Sequence, residues 1–173
     1  MTPAQLTVFK AHLLANTATL EVTAGNFQTI ADIYAAGNQD HNGIIADWYN
    51  LFGLAATHTV WKNSVTITEI GNNFVGTELE GLSTLQNGRL QTIAQYSPSG
   101  IDPSLPDRRA FFDGVFSGAG GVATRAKLLI LWKRLGRTIE KVLGTGTGTD
   151  ASPITMGFIG LCMANDVQAT RSV

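Results

Sequence analysis

Cysteine is nearly absent: Cys162 is the only one in 173 residues. That excludes an internal disulfide framework and any zinc site built on several thiolates. Charge is scarce as well, with Asp, Glu, Lys and Arg making up 14% of the chain against about 25% in ordinary globular proteins. No apolar run approaches the roughly 18 residues of a membrane span. The opening "MTPAQLTVFK" has no basic stretch leading into an apolar one, so neither a signal peptide nor an anchor is expected, and synthesis in the cytoplasm as a soluble protein is.

Chemistry-bearing patterns are equally thin. The three histidines, His12, His41 and His58, have no partner at the spacing of three or four that makes a zinc face on a helix. No Gly-x-Ser-x-Gly nucleophile turn occurs. The Gly-Thr repeat of residues 144–149 follows a helical stretch and ends in Asp150-Ala151-Ser152-Pro153, whereas a phosphate loop opens a helix and ends in Lys-Ser or Lys-Thr. Glu78 and Glu80, two apart, point to different faces of a helix. Cys162 lies in an apolar stretch where a thiol is inert. No enzyme, cofactor or resident metal is expected.

What is present points toward assembly. Apolar residues make up 44% of the chain and the mean hydropathy is +0.10. In a domain of 18.4 kDa, with much surface per volume, that composition implies surface covered by other subunits and hence a homo-oligomer. Charge is also segregated. Residues 1–107 hold Lys10, Lys62 and Arg89 against nine acidic residues, a net of -6, while residues 108–141 hold eight basic residues against Asp113 and Glu140, a net of +6. The basic set is Arg108, Arg109, Arg125, Lys127, Lys133, Arg134, Arg137 and Lys141. Such a split suits head-to-tail contact between copies. It equally suits a surface for nucleic acid, or a solvated helix face.

The expected fold is mainly α, a compact helical domain over 1–143 with a short central extended segment. Residues 144–173 follow as a flexible Gly-Thr connection and a C-terminal strand or arm, either part of the same domain or docked on a neighbour. Thr2, Pro3 and Gln5 form a helix start, cap, first position and reach-back residue, for a helix over 3–15 with Leu6, Phe9, Leu13 and Leu14 on one face. Asn26 is expected to cap a second helix, with Phe27, Ile30, Ala31 and Tyr34 sharing a face and Gly37 ending it. "IIADWYNLFG" reads as a short helix anchored by Trp48, Leu51 and Phe52. Thr59–Ile70 is β-branched and reads as extended. A leucine-rich helix follows within 78–96, then a loop over 97–107 and a short helix in "RRAFFDGVF". Val122 to about Leu143 reads as the strongest helix, apolar over a broad arc, with Gly136 able to divide it. "ITMGFIGLCM" reads as a strand apolar on both faces.

One stretch imitates a calcium loop. In "GNQDHNGIIADWY", Asn38, Asp40 and Asn42 fall at the first, third and fifth positions and Gly43 at the sixth. The twelfth position, where a bidentate carboxylate is required, is Tyr49, and Asp40 is the one charged ligand among the early positions. That is too little negative charge to strip water from the ion. The stretch therefore reads as a turn between helices, with Asn42-Gly43 supplying the positive φ of a tight reversal.

Four collinear blocks, "TVWKNSVTITEIG", "FVGTELEGLSTLQNGRLQTIAQYSP", "PSLPDRRAFFDGVFSGAGG" and "GTGTGTDASPITMGF", resemble an uncharacterised family of small structural proteins of tailed-bacteriophage and prophage virions. The resemblance covers roughly residues 45 to 170 and departs at 37–44 and at "FIGLCM". It implies a virion component made in the host cytoplasm and brings no catalytic residues. Its expected partners are copies of itself and other phage structural proteins (portal, tail or capsid), with possible non-specific contact with packaged DNA and no membrane. Within that class a ring-forming head-tail connector of the neck is favoured. A capsid decoration or tail protein is the alternative, and a small DNA-binding protein using residues 108–141 is the alternative of another class.

Overall fold

A computed structural model describes residues 1–23, 26–37, 41–51, 58–155 and 160–173. In chain order its elements are α1 (Pro3–Ala15), β1 (Thr19–Thr23), β2 (Asn26–Thr29), α2 (Ile30–Ala35), α3 (Asn42–Asn50), β3 (Thr59–Trp61) and α4 (Ile67–Asn72). They continue with α5 (Gly76–Glu80), α6 (Thr84–Tyr96), α7 (Pro106–Val115), α8 (Val122–Leu131), β4 (Lys133–Leu135), α9 (Thr138–Leu143) and α10 (Ala164–Ala169). The protein is mainly α, as its sequence implies. Two compact units divide the chain: residues 1–58 with 135–173, and residues 59–134.

In the first unit, α1 begins where Thr2 and Gln5 exchange backbone hydrogen bonds, Thr2 N–H donating to Gln5 Oε1 at 2.8 Å and Gln5 N–H to Thr2 Oγ1 at 3.3 Å. Phe9 and Leu13 are fully buried, whereas Leu14 stays exposed. The core of the unit gathers Phe9, Leu13, Ile30, Ile33, Ile45, Tyr49, Ile139 and Val167. Tyr49 packs edge-on against Phe9 with ring centroids 4.8 Å apart and against Trp48 at 4.9 Å. On α3 the buried positions are Ile45, Ala46 and Tyr49. The expected anchors differ: Leu51 is exposed, Trp48 is half-buried, and Phe52 lies outside the described residues.

Residues expected as a polar break and a helix start form two paired strands. Backbones of β1 and β2 pair antiparallel, Thr19 opposite Thr29 and Leu20 opposite Gln28. Asn26 is thus committed to the ladder, and the helix cap moves to Thr29, whose Oγ1 accepts from Asp32 N–H at 3.1 Å. Of the calcium-like stretch, Asn38 and Asp40 lie outside the described residues. Asn42 opens α3, and the positive φ of this region belongs to Gly37 (71°), so Asn42-Gly43 is helical and makes no reversal.

The C-terminal strand expected in "ITMGFIGLCM" is not a sheet member where it is described, residues 156–159 lying outside. Thr155 bridges Thr145, which turns the Gly-Thr connection into a return with N–H···O distances of 3.0 and 2.8 Å. Cys162, farther on, finds its backbone partners in one side chain. Its N–H donates to Asn50 Oδ1 and its carbonyl accepts from Asn50 Nδ2, both at 2.8 Å. With both groups of Cys162 used by an amide, no strand neighbour is required, and the chain turns into α10.

In the second unit only Thr59–Trp61 of the expected extended segment is a strand, paired with β4. Thr66 and Glu69 form a capping box, each accepting from the other's backbone at 3.1 and 2.8 Å, and they start α4 where continued strand is expected. Ser83 and Gln86 do the same for α6, so the leucine-rich stretch is two helices. Val65 and Ile101 bridge through two 2.9 Å hydrogen bonds. Gly100 beside them has φ +109°, and a Cβ there would sit 2.3 Å from the Val65 carbonyl oxygen, so only glycine fits. Val65, Ile70, Ile101, Phe112, Phe116, Leu128 and Trp132 form the core. The helix expected over 122–143 is interrupted: α8 ends at Leu131, β4 follows, and α9 resumes at Thr138. The break lies at and before Gly136, whose N–H donates to the His58 carbonyl at 2.8 Å and not to an i-4 helical carbonyl.

Candidate functional site

Helix α8 organises the surface of the second unit. Its start is held by Glu78, whose carboxylate accepts from the backbone N–H groups of Ala123 at 3.0 Å and Thr124 at 2.7 Å. A carboxylate there meets the positive end of the helix dipole and two otherwise orphan donors. The Thr124 hydrogen bonds hold the Glu78 carboxyl below its ordinary range. Thr124 and Leu128 face the core. The opposite face carries Val122, Ala126, Leu129 and Ile130, spaced i, i+4, i+7 and i+8, and all are exposed, Ile130 at 72% and Val122 at 55%. The broad apolar arc legible in the sequence is therefore covered on one side and bare on the other.

The eight basic residues are divided between the two units. Arg108 and Lys127 are exposed on α7 and α8, and Lys133 and Arg134 lie half-buried on β4. Arg137 and Lys141 belong to the first unit. There Arg137 lies 3.6 Å from the buried Glu140 carboxylate, which also accepts from Arg137 N–H at 2.7 Å. Arg109 and Arg125 meet in one cleft, of ≈ 290 Å³, with Trp61, Asp113, Ala126, Leu129 and Trp132. Arg109 stacks on the Trp61 ring at 4.0 Å and donates to the carbonyls of Pro103 and Ser104. Burial pulls the Arg109 pKa down, with partial compensation from Asp113. Arg125 donates to the carbonyls of Phe116 and Gly118.

Folding also dilutes the linear charge split. Acidic residues of 59–107 share a unit with basic residues of 108–134, so that unit holds eight basic against six acidic side chains, a net of +2. The other unit holds four against seven, a net of -3. The asymmetry survives with its sense unchanged but is weaker than the linear count suggests.

A second cleft, in the first unit, went unread in the sequence. It measures ≈ 440 Å³ and is lined by His12, Asn16, Trp48, Thr138, Lys141 and Val142. His12 Nδ1 and the Tyr49 hydroxyl share a 2.7 Å hydrogen bond. Burial, then the charge of Lys141, lowers the His12 pKa, and burial raises that of Tyr49, so the pair is a neutral imidazole and a phenol. The lining residues include no carboxylate to orient the imidazole and no activated nucleophile. His12 and Lys141 lie far apart in sequence, and no local spacing announces them. Asn42 is also buried, its Nδ2 donating to Gln168 Oε1 at 3.0 Å. Among the described residues no group of three or more His, Cys, Asp or Glu side chains is placed to hold a metal ion, and no helix is long and apolar enough to cross a membrane. Comparison with protein-family models, curated proteins and solved structures finds no match.

Proposed function

We propose that this protein is a structural subunit of a tailed-bacteriophage particle, and within that class a ring-forming head-tail connector of the neck. The observation that carries the reading is the bare apolar stripe of α8, Val122, Ala126, Leu129 and Ile130, lying beside a cationic cleft. A low-charge protein with such a stripe is built to be covered. The four sequence blocks that resemble phage structural proteins supply the setting. Units of opposite net charge favour a heterologous contact, one unit of a copy against the other unit of the next, and heterologous contacts close into rings when the rotation permits. Copies of itself and portal, tail or capsid proteins are its partners. The DNA-binding alternative is disfavoured because Arg109 and Arg125 are turned to backbone carbonyls and an indole face, and Arg137 to Glu140.

Electron microscopy and sedimentation of the purified chain test this directly. Rings or defined oligomers are expected, dissociating when Ile130 is changed to Glu, while circular dichroism of the exposed-site variant stays unchanged. A protein that stays monomeric at high concentration and ignores tailed-phage particles, or one that binds a single DNA sequence tightly, refutes the reading.

A further inference from the structure

The cleft of the second unit holds two donors with capacity to spare, and a buried indole N–H lies in its wall residue Trp132. Arg109 and Arg125 each direct Nη1 to backbone carbonyls, while their Nε and Nη2 groups have no hydrogen-bond acceptor among the described residues. Trp132, 2% exposed, lines the same cleft, and its Nε1–H is buried without an acceptor. One carboxylate, Asp113, lines the same cleft, but it is exposed and makes no ion pair with either arginine. The guanidinium edges are open to the cleft and free to take an acceptor, and the one buried donor without an acceptor in its wall is the Trp132 indole.

The surroundings narrow the choice. Guanidinium edges favour planar oxyanions, above all carboxylate, which they bind in a forked geometry. Ala126, Leu129 and two indole rings form the walls, which suits an oxyanion on an apolar stem. A nucleic-acid strand would bring further phosphates and need a track of exposed cations. The surface leading away along α8 is instead the apolar stripe ending at Ile130.

We infer that this cleft is a receptor for an acidic side chain, an Asp or Glu of a protein partner whose flanking residues are apolar. The carboxylate lies against the free edges of Arg109 and Arg125, and its apolar neighbours cover Leu129 and Ile130. The choice of a protein occupant rests on the assembly reading, whereas the carboxylate chemistry stands on the cleft alone.

The test uses the full chain labelled with nitrogen-15, in which the indole N–H signals of Trp48, Trp61 and Trp132 are followed by NMR. Three probes are added: 3-phenylpropionate, the blocked peptide acetyl-Leu-Leu-Glu-Leu-Leu-amide, and inorganic phosphate. The acid should shift the Trp61 and Trp132 signals, whose rings line the cleft, with a dissociation constant on the order of 1 mM, and the peptide should bind about tenfold tighter. The neutral 3-phenylpropanamide and the peptide with Gln in place of Glu should do nothing. Asp113→Asn, at an exposed position, should tighten binding about threefold by removing a repulsive charge. Leu129→Glu, also exposed, should abolish binding by supplying a carboxylate from within. An equal response to phosphate, an equal response to the amide, or no response to any probe each overturns the inference. A protein that assembles while its cleft ignores the acid sinks this inference alone; a monomer whose cleft takes the acid sinks the assembly reading alone.

Discussion

Asn50→Ala should release the segment around Cys162 from α3, and the chain carries its own probe of that event. Asn50 joins both backbone groups of Cys162 at 2.8 Å. Each such bond contributes about 1 kcal/mol net, and stranding two part-buried backbone groups adds about 0.5 kcal/mol each, so the substitution should cost about 3 kcal/mol locally. Cys162 is the sole cysteine, 2% exposed, its thiol pushed up to about 12 by burial. It reacts with a disulfide reagent only when the segment opens, and at about 1.4 kcal/mol per decade the reaction should accelerate by about 100-fold in native buffer. Asn50→Asp separates donor from acceptor. It keeps the oxygen that accepts from Cys162 N–H but turns a second oxygen toward the Cys162 carbonyl, so its folded pKa rises above the unfolded value of about 3.9. The protonated acid restores a donor; the stabilisation is full below about pH 3.9 and is lost as pH rises through the folded pKa. Urea titrations at acid and neutral pH should show the deficit relative to the parent growing with pH. A thiol rate within about threefold of the parent for Asn50→Ala would refute the reasoning, because it would mean the amide bridge contributes less than about 0.7 kcal/mol.

Two further outcomes follow from the same geometry. His12 should titrate below 6.5 by NMR, since burial and then Lys141 lower its pKa; a base whose folded pKa is depressed contributes stability that is full above about pH 6.5 and declines as pH falls through the folded value. Lys141→Gln should move the His12 pKa upward, and an unchanged titration would show that Lys141 does not act on it. Gly100→Ala should destabilise the second unit by about 2 kcal/mol or more, as φ is +109° and the new Cβ would lie 2.3 Å from the Val65 carbonyl oxygen; a neutral effect in urea unfolding would mean that the Val65–Ile101 bridge shifts freely.

Local chemistry was legible wherever a few adjacent residues decide the outcome. Thr2, Pro3 and Gln5 start α1 because the cap satisfies donors within one turn. The same logic starts α4 at Thr66 and Glu69, although the β-branched run around it reads as strand, since the cap outweighs the weak propensity of Ile67 and Thr68. Gly136 announces the break in the long basic stretch but not the strand that replaces a turn of helix. The pairing of β1 with β2 was hidden because Thr19–Thr23 pairs with a segment whose own pattern suits a helix start.

The residues alone determined a mainly helical protein with little charge, one thiol and 44% apolar residues, because composition and short-range capping depend on neighbours in the chain. Which apolar residues stay bare was decided only in three dimensions. Leu128 and Ile130 are equally apolar and two positions apart, yet one is fully buried and the other 72% exposed, because Glu78 and Thr124 fix the rotation of α8 against its unit. The same holds for the basic residues. Arg109 and Arg125 share a cleft while Arg137 serves Glu140, since charges far apart in sequence are sorted by the packing of the apolar residues between them.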